Sequence, residues 1–208
     1  MTQITLYGPA LSTYVRSVRM LLTETNTPHD LQTVDIFSER SQEYLAKHPF
    51  GKVPVLEVDG EILYETCAIL DYLDAVTGNH TFTPSEPIGQ ARMRQIMAII
   101  DNYLYSPAIS VITIQRLIVP SQNGQPDEAA IQTAVPKAQT ALGAIEAIAS
   151  CNPYLLGSDI TLADLYLMPV LLYLSKTPEM ETVTANTPKL KAWWKATEQR
   201  PSFLQILD

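Results

Sequence analysis

Polar and apolar residues alternate from Gln3 to Tyr7, the pattern of a short strand with one covered face. Gly8 and Pro9 stop it. Val15, Val18, Leu21 and Leu22 then recur at helical spacing, which predicts a helix from residue 12 or 13 to about 26. Either Ser12 or Thr13 can cap it. Residues 29–35 read as a second strand, and residues 41–47 as a short helix stopped before Pro49. Residues 53–58 and 61–63 form a hairpin around Asp59-Gly60, a favoured two-residue turn. A helix over 65–76 follows, with Ile69, Leu70, Leu73 and Val76 on one face and Gly78 closing it.

The pattern then changes. Residues 79–87 are polar with two prolines, and beyond them strand signals cease. A long helical stretch is expected over 88–119, with Met93, Ile96, Met97, Ile100 and Leu104 in register and a kink at Pro107. After a loop at 120–127, a helix over 128–150 contains Pro136, which predicts a kink or a break. Helices at 162–176 and 187–199 and a turn after Pro201 complete the chain. Thr161 and Asp164 have the spacing of a capping box, with Ile160 and Leu165 as its staple. Loss of the Asp164 carboxylate should cost on the order of 1 kcal/mol or more. Mixed α/β followed by all-α predicts two domains, residues 1–80 and 88–208, joined by a linker at 81–87.

Composition narrows the function classes. Hydrophobic residues at 46% and charged ones at 17% suit a packed globular chain rather than a disordered one. A net charge of −8 argues against general binding to nucleic acid, yet leaves room for a local cationic pocket. The strongest apolar run, residues 165–174, is broken by Pro169 and is too short to span a bilayer, so no membrane role is expected. Cys67 and Cys151 match no metal spacing and read as inert thiols of a reduced cytoplasm. No metal is expected.

Three stretches carry a resemblance: LYGPALSTYVRSVRMLL at the start, HPFGKVPVLEVDG followed by YETCAILDYL, and LLGSDITLADL in the helical half. Together they resemble the glutathione transferase superfamily, cytosolic and serine-type, similar to its phi and theta classes. The resemblance implies an α/β thioredoxin-like N-terminal domain that binds glutathione and an all-α C-terminal helical bundle domain that accepts a hydrophobic electrophile. It also implies a cis Val53-Pro54 bond. That bond would leave the Val53 backbone free to pair with glutathione as an added strand. Glu65 would take the γ-glutamyl ammonium, and Thr66, at a helix mouth, its carboxylate. Lys52, and less directly Arg40, would meet the glycyl carboxylate. Serine-type relatives often have a histidine and a lysine near residues 39–41; this chain has Glu39, Arg40 and Ser41.

Activating the thiol requires one good hydrogen-bond donor near the positive end of a helix. By itself Ser12 is a helix cap; the resemblance makes it that donor. Tyr7 is the second candidate, as the residue ending the first strand, and Thr13 a third. The electrophile pocket would draw on Leu11, Tyr103, Tyr105, Ile112 and Arg116, which also read as core or surface residues. The expected product is a glutathione conjugate. Peroxide reduction, dehalogenation and a non-catalytic scaffold role are the alternatives. Relatives are homodimers, with Arg92, Arg94, Glu65 and Asp71 as candidate interface charges.

Overall fold

A computed structural model describes residues 3–36 and 38–207. Its residues gather into two compact units, Met1–Phe82 with Arg200–Asp208, and Thr83–Gln199.

The first unit is built on four strands, β1 (Ile4–Tyr7), β2 (Asp30–Gln32), β3 (Val55–Val58) and β4 (Glu61–Tyr64), in the order β2-β1-β3-β4. β2 lies parallel to β1, β3 runs antiparallel to β1, and β4 runs antiparallel to β3. The β1–β2 crossover is α1 (Thr13–Glu24), and α2 (Gln42–Lys47) and α3 (Thr66–Thr77) complete the unit. This is the thioredoxin-like arrangement expected. Alternation places Ile4 and Leu6 in the core while Thr5 and Tyr7 stay partly exposed on the other face. Val15, Val18, Leu21, Ile69, Leu70 and Leu73 are buried from the helices. The hairpin turns on Asp59 (φ 49°) and Gly60 (φ 90°), the double positive φ of a type I′ turn. The strands are shorter than expected at β2 and β3. Pro54 has no N–H for the ladder, so β3 begins one residue after it.

The boundary falls just after Phe82, which is buried and whose N–H donates to Asp74 Oδ1 at 3.1 Å. The last turn, α10 (Pro201–Leu204), rejoins the first unit. Arg200 Nε and Nη2 donate to the two Glu24 carboxylate oxygens at 3.0 and 2.7 Å, and Ser202 Oγ donates to the same carboxylate. Thr23 Oγ1 donates to Gln205 Oε1.

The second unit is helical. α4 (Pro87–Ile99) runs on through two π-wound stretches, Ile100–Leu104 and Ser106–Ile118, into the single turn α5 (Val119–Ser121). Sequence predicted one kinked helix. The bend is real, 49° at Tyr105, but the winding on both sides of it is wider than α. A proline ring at 107 collides with the carbonyl four residues back in an α-helix, and a π turn relieves the collision. Thr113 Oγ1 bonds the carbonyl of Ala108, five residues back, in keeping with the wider turn. α6 (Glu128–Ile148) is not broken at Pro136, which is on the exposed face, where water can satisfy the carbonyl left without an N–H. α7 (Leu162–Leu174) is buried along nearly its whole length, and α8 (Met180–Val183) and α9 (Pro188–Thr197) pack after it. Among the described residues no single helix is long and apolar enough to cross a membrane.

Asp164 organises this unit. Its buried carboxylate accepts from Thr161 N and Thr161 Oγ1, both at 2.8 Å, from Leu155 N at 2.8 Å, and from Trp193 Nε1 at 2.7 Å. Burial pushes its pKa up, and those four donors oppose the shift. The carboxylate therefore caps α7, anchors the preceding loop and holds α9 by its indole. A helix cap alone is worth about 1 kcal/mol, whereas three stranded N–H donors in the interior raise the loss to about 3–5 kcal/mol. Asp164→Ala should lower urea stability of the full chain by that larger amount. Asp164→Asn, which can still accept from Leu155 and Trp193, should lose less.

Candidate functional site

Strand register gathers one end of the sheet into a site. Val55, the first residue of β3, pairs with Tyr7 on one side and Tyr64 on the other. The chain leaving β1 toward Ser12, the chain entering β3 from Pro54 and the chain leaving β4 toward Glu65 are thus brought side by side. Val53-Pro54 is cis, as the resemblance implied. Gly8, whose N–H donates to Gln32 O, closes this junction. Its φ is +146°, and a Cβ there would lie 2.5 Å from Val15 Cγ2 and 3.2 Å from Val53 Cβ. Only glycine allows α1 and the proline loop to approach β1 so closely.

Ser12 is the N-cap of α1, with extended φ −66° and ψ 131°, and its Oγ accepts from Val15 N at 3.5 Å. Such a long capping bond holds the hydroxyl near the helix mouth only weakly. Tyr7 is oriented differently. Its hydroxyl donates to Glu57 Oε2 at 2.8 Å, where Lys47 Nζ also donates at 2.7 Å, and the Lys47 ammonium lies 4.8 Å from the Tyr7 ring centroid. Partial burial and the Glu57 bond push the phenol above its ordinary pKa. Lys47 and then Tyr7 hold the Glu57 carboxyl below its own. A polar recess of about 370 Å³ on this sheet face is lined by Thr5, Tyr7, Gln32 and Glu57, among others.

At the opposite flank, Glu65 precedes the first residue of α3 with φ 70° and ψ 116°. A glutamate in this region is strained by about 1–3 kcal/mol. Glu65 is exposed while Thr66, opening the helix, is buried. Their placement offers a carboxylate beside free helix N–H groups. Lys52 is exposed and Val53 half-buried. Tyr44 supports them: its hydroxyl donates to Lys52 O at 2.7 Å, and burial pushes its pKa up to about 12. Arg40 is turned onto the loop backbone, with Nε donating to Gly51 O at 2.9 Å and Nη1 to the carbonyls of Asp35 and Ser38. Sequence reading missed Tyr44 and Gly8 because their roles rest on contacts between segments, which carry no local pattern.

The residues named for an electrophile divide between the two units. Leu11 is 60% exposed in the first unit. In the second, Tyr103 is 66% exposed, Tyr105 half-buried and Ile112 wholly buried in the helical core. Arg116 is tied into ion pairs. Its Nη1 and Nη2 clasp Glu128 at 2.6 and 2.9 Å, and its Nε and Nη2 meet Glu179 Oε1 at 2.9 and 2.6 Å. Cys67 is exposed on the first turn of α3, whereas burial pushes the Cys151 thiol up to about 12. Among the described residues no cluster of His, Cys, Asp and Glu is arranged to hold a metal.

Known proteins carry the same design. Residues 6–80 match the family model for the glutathione S-transferase N-terminal domain, and residues 96–201 that for its C-terminal domain. The chain is 31% identical over 205 residues to glutathione S-transferase F13 of Arabidopsis thaliana, spanning 97% of this chain and 93% of that one. Among solved structures it resembles glutathione transferase F7 from Populus trichocarpa, with 33% identity, TM-score 0.84 and coverage of 98% and 97%. It also resembles glutathione S-transferase I from mais in complex with an atrazine glutathione conjugate, with 27% identity, TM-score 0.83 and coverage of 98% and 96%. The chain belongs to the glutathione S-transferase family.

Gly8→Ala tests the junction. It should destabilise the protein by about 1–3 kcal/mol in thermal unfolding and weaken glutathione binding. Gly143→Ala is the control. A Cβ there meets nothing within 4 Å inside α6, so the change should stabilise by about 0.5–1 kcal/mol.

Proposed function

We propose that the chain holds glutathione at this end of the sheet, ionises its thiol beside Ser12 and joins the sulfur to a hydrophobic electrophile. The observation that carries the reading is the convergence of the α1 cap, the cis Val53-Pro54 turn and the Glu65-Thr66 helix mouth on the strand ends paired through Val55.

Each part of the tripeptide has a partner. The cysteinyl backbone pairs with the Val53 N–H and C=O as an extra strand edge. The γ-glutamyl carboxylate takes the free N–H groups at the start of α3 with the Thr66 hydroxyl, and its ammonium takes the Glu65 carboxylate. The glycyl carboxylate falls to Lys52, since Arg40 is occupied with backbone carbonyls.

The chemistry follows from this pose. A free thiol has a pKa of about 8.5 and is mostly protonated at neutral pH. Ser12 Oγ–H donates to the sulfur, and the positive end of α1 adds to that stabilisation, so the proton leaves to solvent and a thiolate remains. Its electron pair forms the C–S bond, and the leaving group departs with its own pair, or a conjugated acceptor takes the charge and then a proton. Ser12 donates throughout and is never the nucleophile. Tyr7 is less suited because its proton is engaged by Glu57. Homodimeric assembly and a cytoplasmic setting accompany this reading, following the family.

Conjugation to a reactive aryl halide measures the assignment. Ser12→Ala should cut kcat by about 10²-fold or more while glutathione still binds in calorimetry. Tyr7→Phe should leave turnover within about twofold, since it removes only the Glu57 hydrogen bond. The reverse pattern would move the role to Tyr7.

A further inference from the structure

His48 has no place in the account above, yet it is the histidine best placed to influence the site. It caps the C-terminal end of α2, its N–H donates to Tyr44 O, and its own carbonyl accepts from Gly51 N at 2.9 Å. The residue is 2% exposed, and Nδ1 has no hydrogen-bond partner among the described residues. Its ring centroid lies 4.8 Å from that of Tyr64, at 33°, and 6.1 Å edge-on from Phe50. Tyr64 is the residue immediately before the strained Glu65. The ring thus packs against the residue whose backbone leads directly into Glu65.

We infer that His48 is a positioning residue for the γ-glutamyl end of glutathione: the neutral ring buttresses Tyr64 and Glu65, and a proton on it withdraws Glu65 from the ligand. The inference rests on the proposed role of Glu65. The groups that act on the ring are the Glu65 carboxylate from the start of α3, the Lys52 ammonium from the proline loop and the Tyr64 ring from β4. Glu65 attracts an imidazolium and Lys52 repels it. A charged His48 would compete with the ligand's ammonium for the same carboxylate. Burial is the largest influence and depresses the ring's pKa, so at neutral pH the ring is uncharged and the site is open. With the folded pKa below the ordinary value of about 6.5, stability falls as pH drops below that value, and affinity falls where the ring of the free protein takes a proton that the ligand-bound form resists. Glutathione's thiol ionises on binding and gives its affinity a pH dependence of its own, whereas S-methylglutathione keeps its charge at the carboxylates and amine between pH 5.3 and 7.5.

The experiment is calorimetric titration of the full protein with S-methylglutathione, which has no thiol to ionise, from pH 7.5 to 5.3. In the unaltered chain the dissociation constant should rise about fivefold or more toward pH 5.3. His48→Phe, which keeps a ring but takes no proton, should bind normally at pH 7.5 and lose the acid limb. His48→Ala should bind weakly at every pH. An acid limb that persists in His48→Phe overturns the inference. Linkage supplies a reading that needs no variant: glutathione must lower the His48 pKa followed by NMR, and an unmoved pKa also overturns it. Glu65→Gln separates the two ideas. If its affinity at pH 7.5 equals that of the parent, Glu65 is not a ligand and the site reading falls. If affinity drops while the His48 pKa ignores glutathione, only the role of His48 falls.

Discussion

The pairing of Val55 with Tyr7 and Tyr64 is the constraint on which the first unit's chemistry depends. Side-chain direction alternates along a strand, so a slip of one residue would turn Leu6 and Leu56 out of the core and send their neighbours in. The register is therefore fixed by burial of apolar side chains, which do no chemistry. The reacting groups inherit their positions from it. Ser12, Pro54 and Glu65 all lie within five residues of a strand end, each set by a turn of fixed shape: glycine at 8, proline at 54, positive φ at 65. Division of labour follows. The hydrophobic core supplies precision, and short irregular backbone segments convert it into a binding surface.

Strain is concentrated where that surface is made. Glu65 holds a backbone conformation that a glutamate reaches at a cost of about 1–3 kcal/mol, and the surrounding packing sustains it. Tyr44 steadies the other side by bonding Lys52 O. The Tyr7 phenol is held on the sheet face by Glu57, which also pairs with Lys47.

Much of this was legible in the sequence where the signal is local. The Asp59-Gly60 turn, the α1 cap at Ser12, the α3 closure at Gly78 and the change from mixed to helical structure all follow from residue types at short spacing. What sequence could not supply was long-range. Nothing near Arg116 announces Glu179, sixty-three positions away, and nothing near Asp164 announces Trp193. The π winding after Ile99 was illegible for another reason. Apolar spacing near 3.6 and 4.4 residues per turn cannot be told apart over so few turns once a proline disturbs the pattern. Pro136 looked like a breaker because its ring has no N–H to give the helix, and its exposed side lets water satisfy the carbonyl left open.

Return of the final turn to the first unit bears on how the protein is made. Glu24 on α1 meets Arg200 and Ser202 only after every residue of the helical unit has been synthesised. The strands and helices of the amino-terminal half leave the ribosome before this turn does, so the Glu24 side of α1 waits for it. The first unit thus completes its fold only after the helical unit has been made.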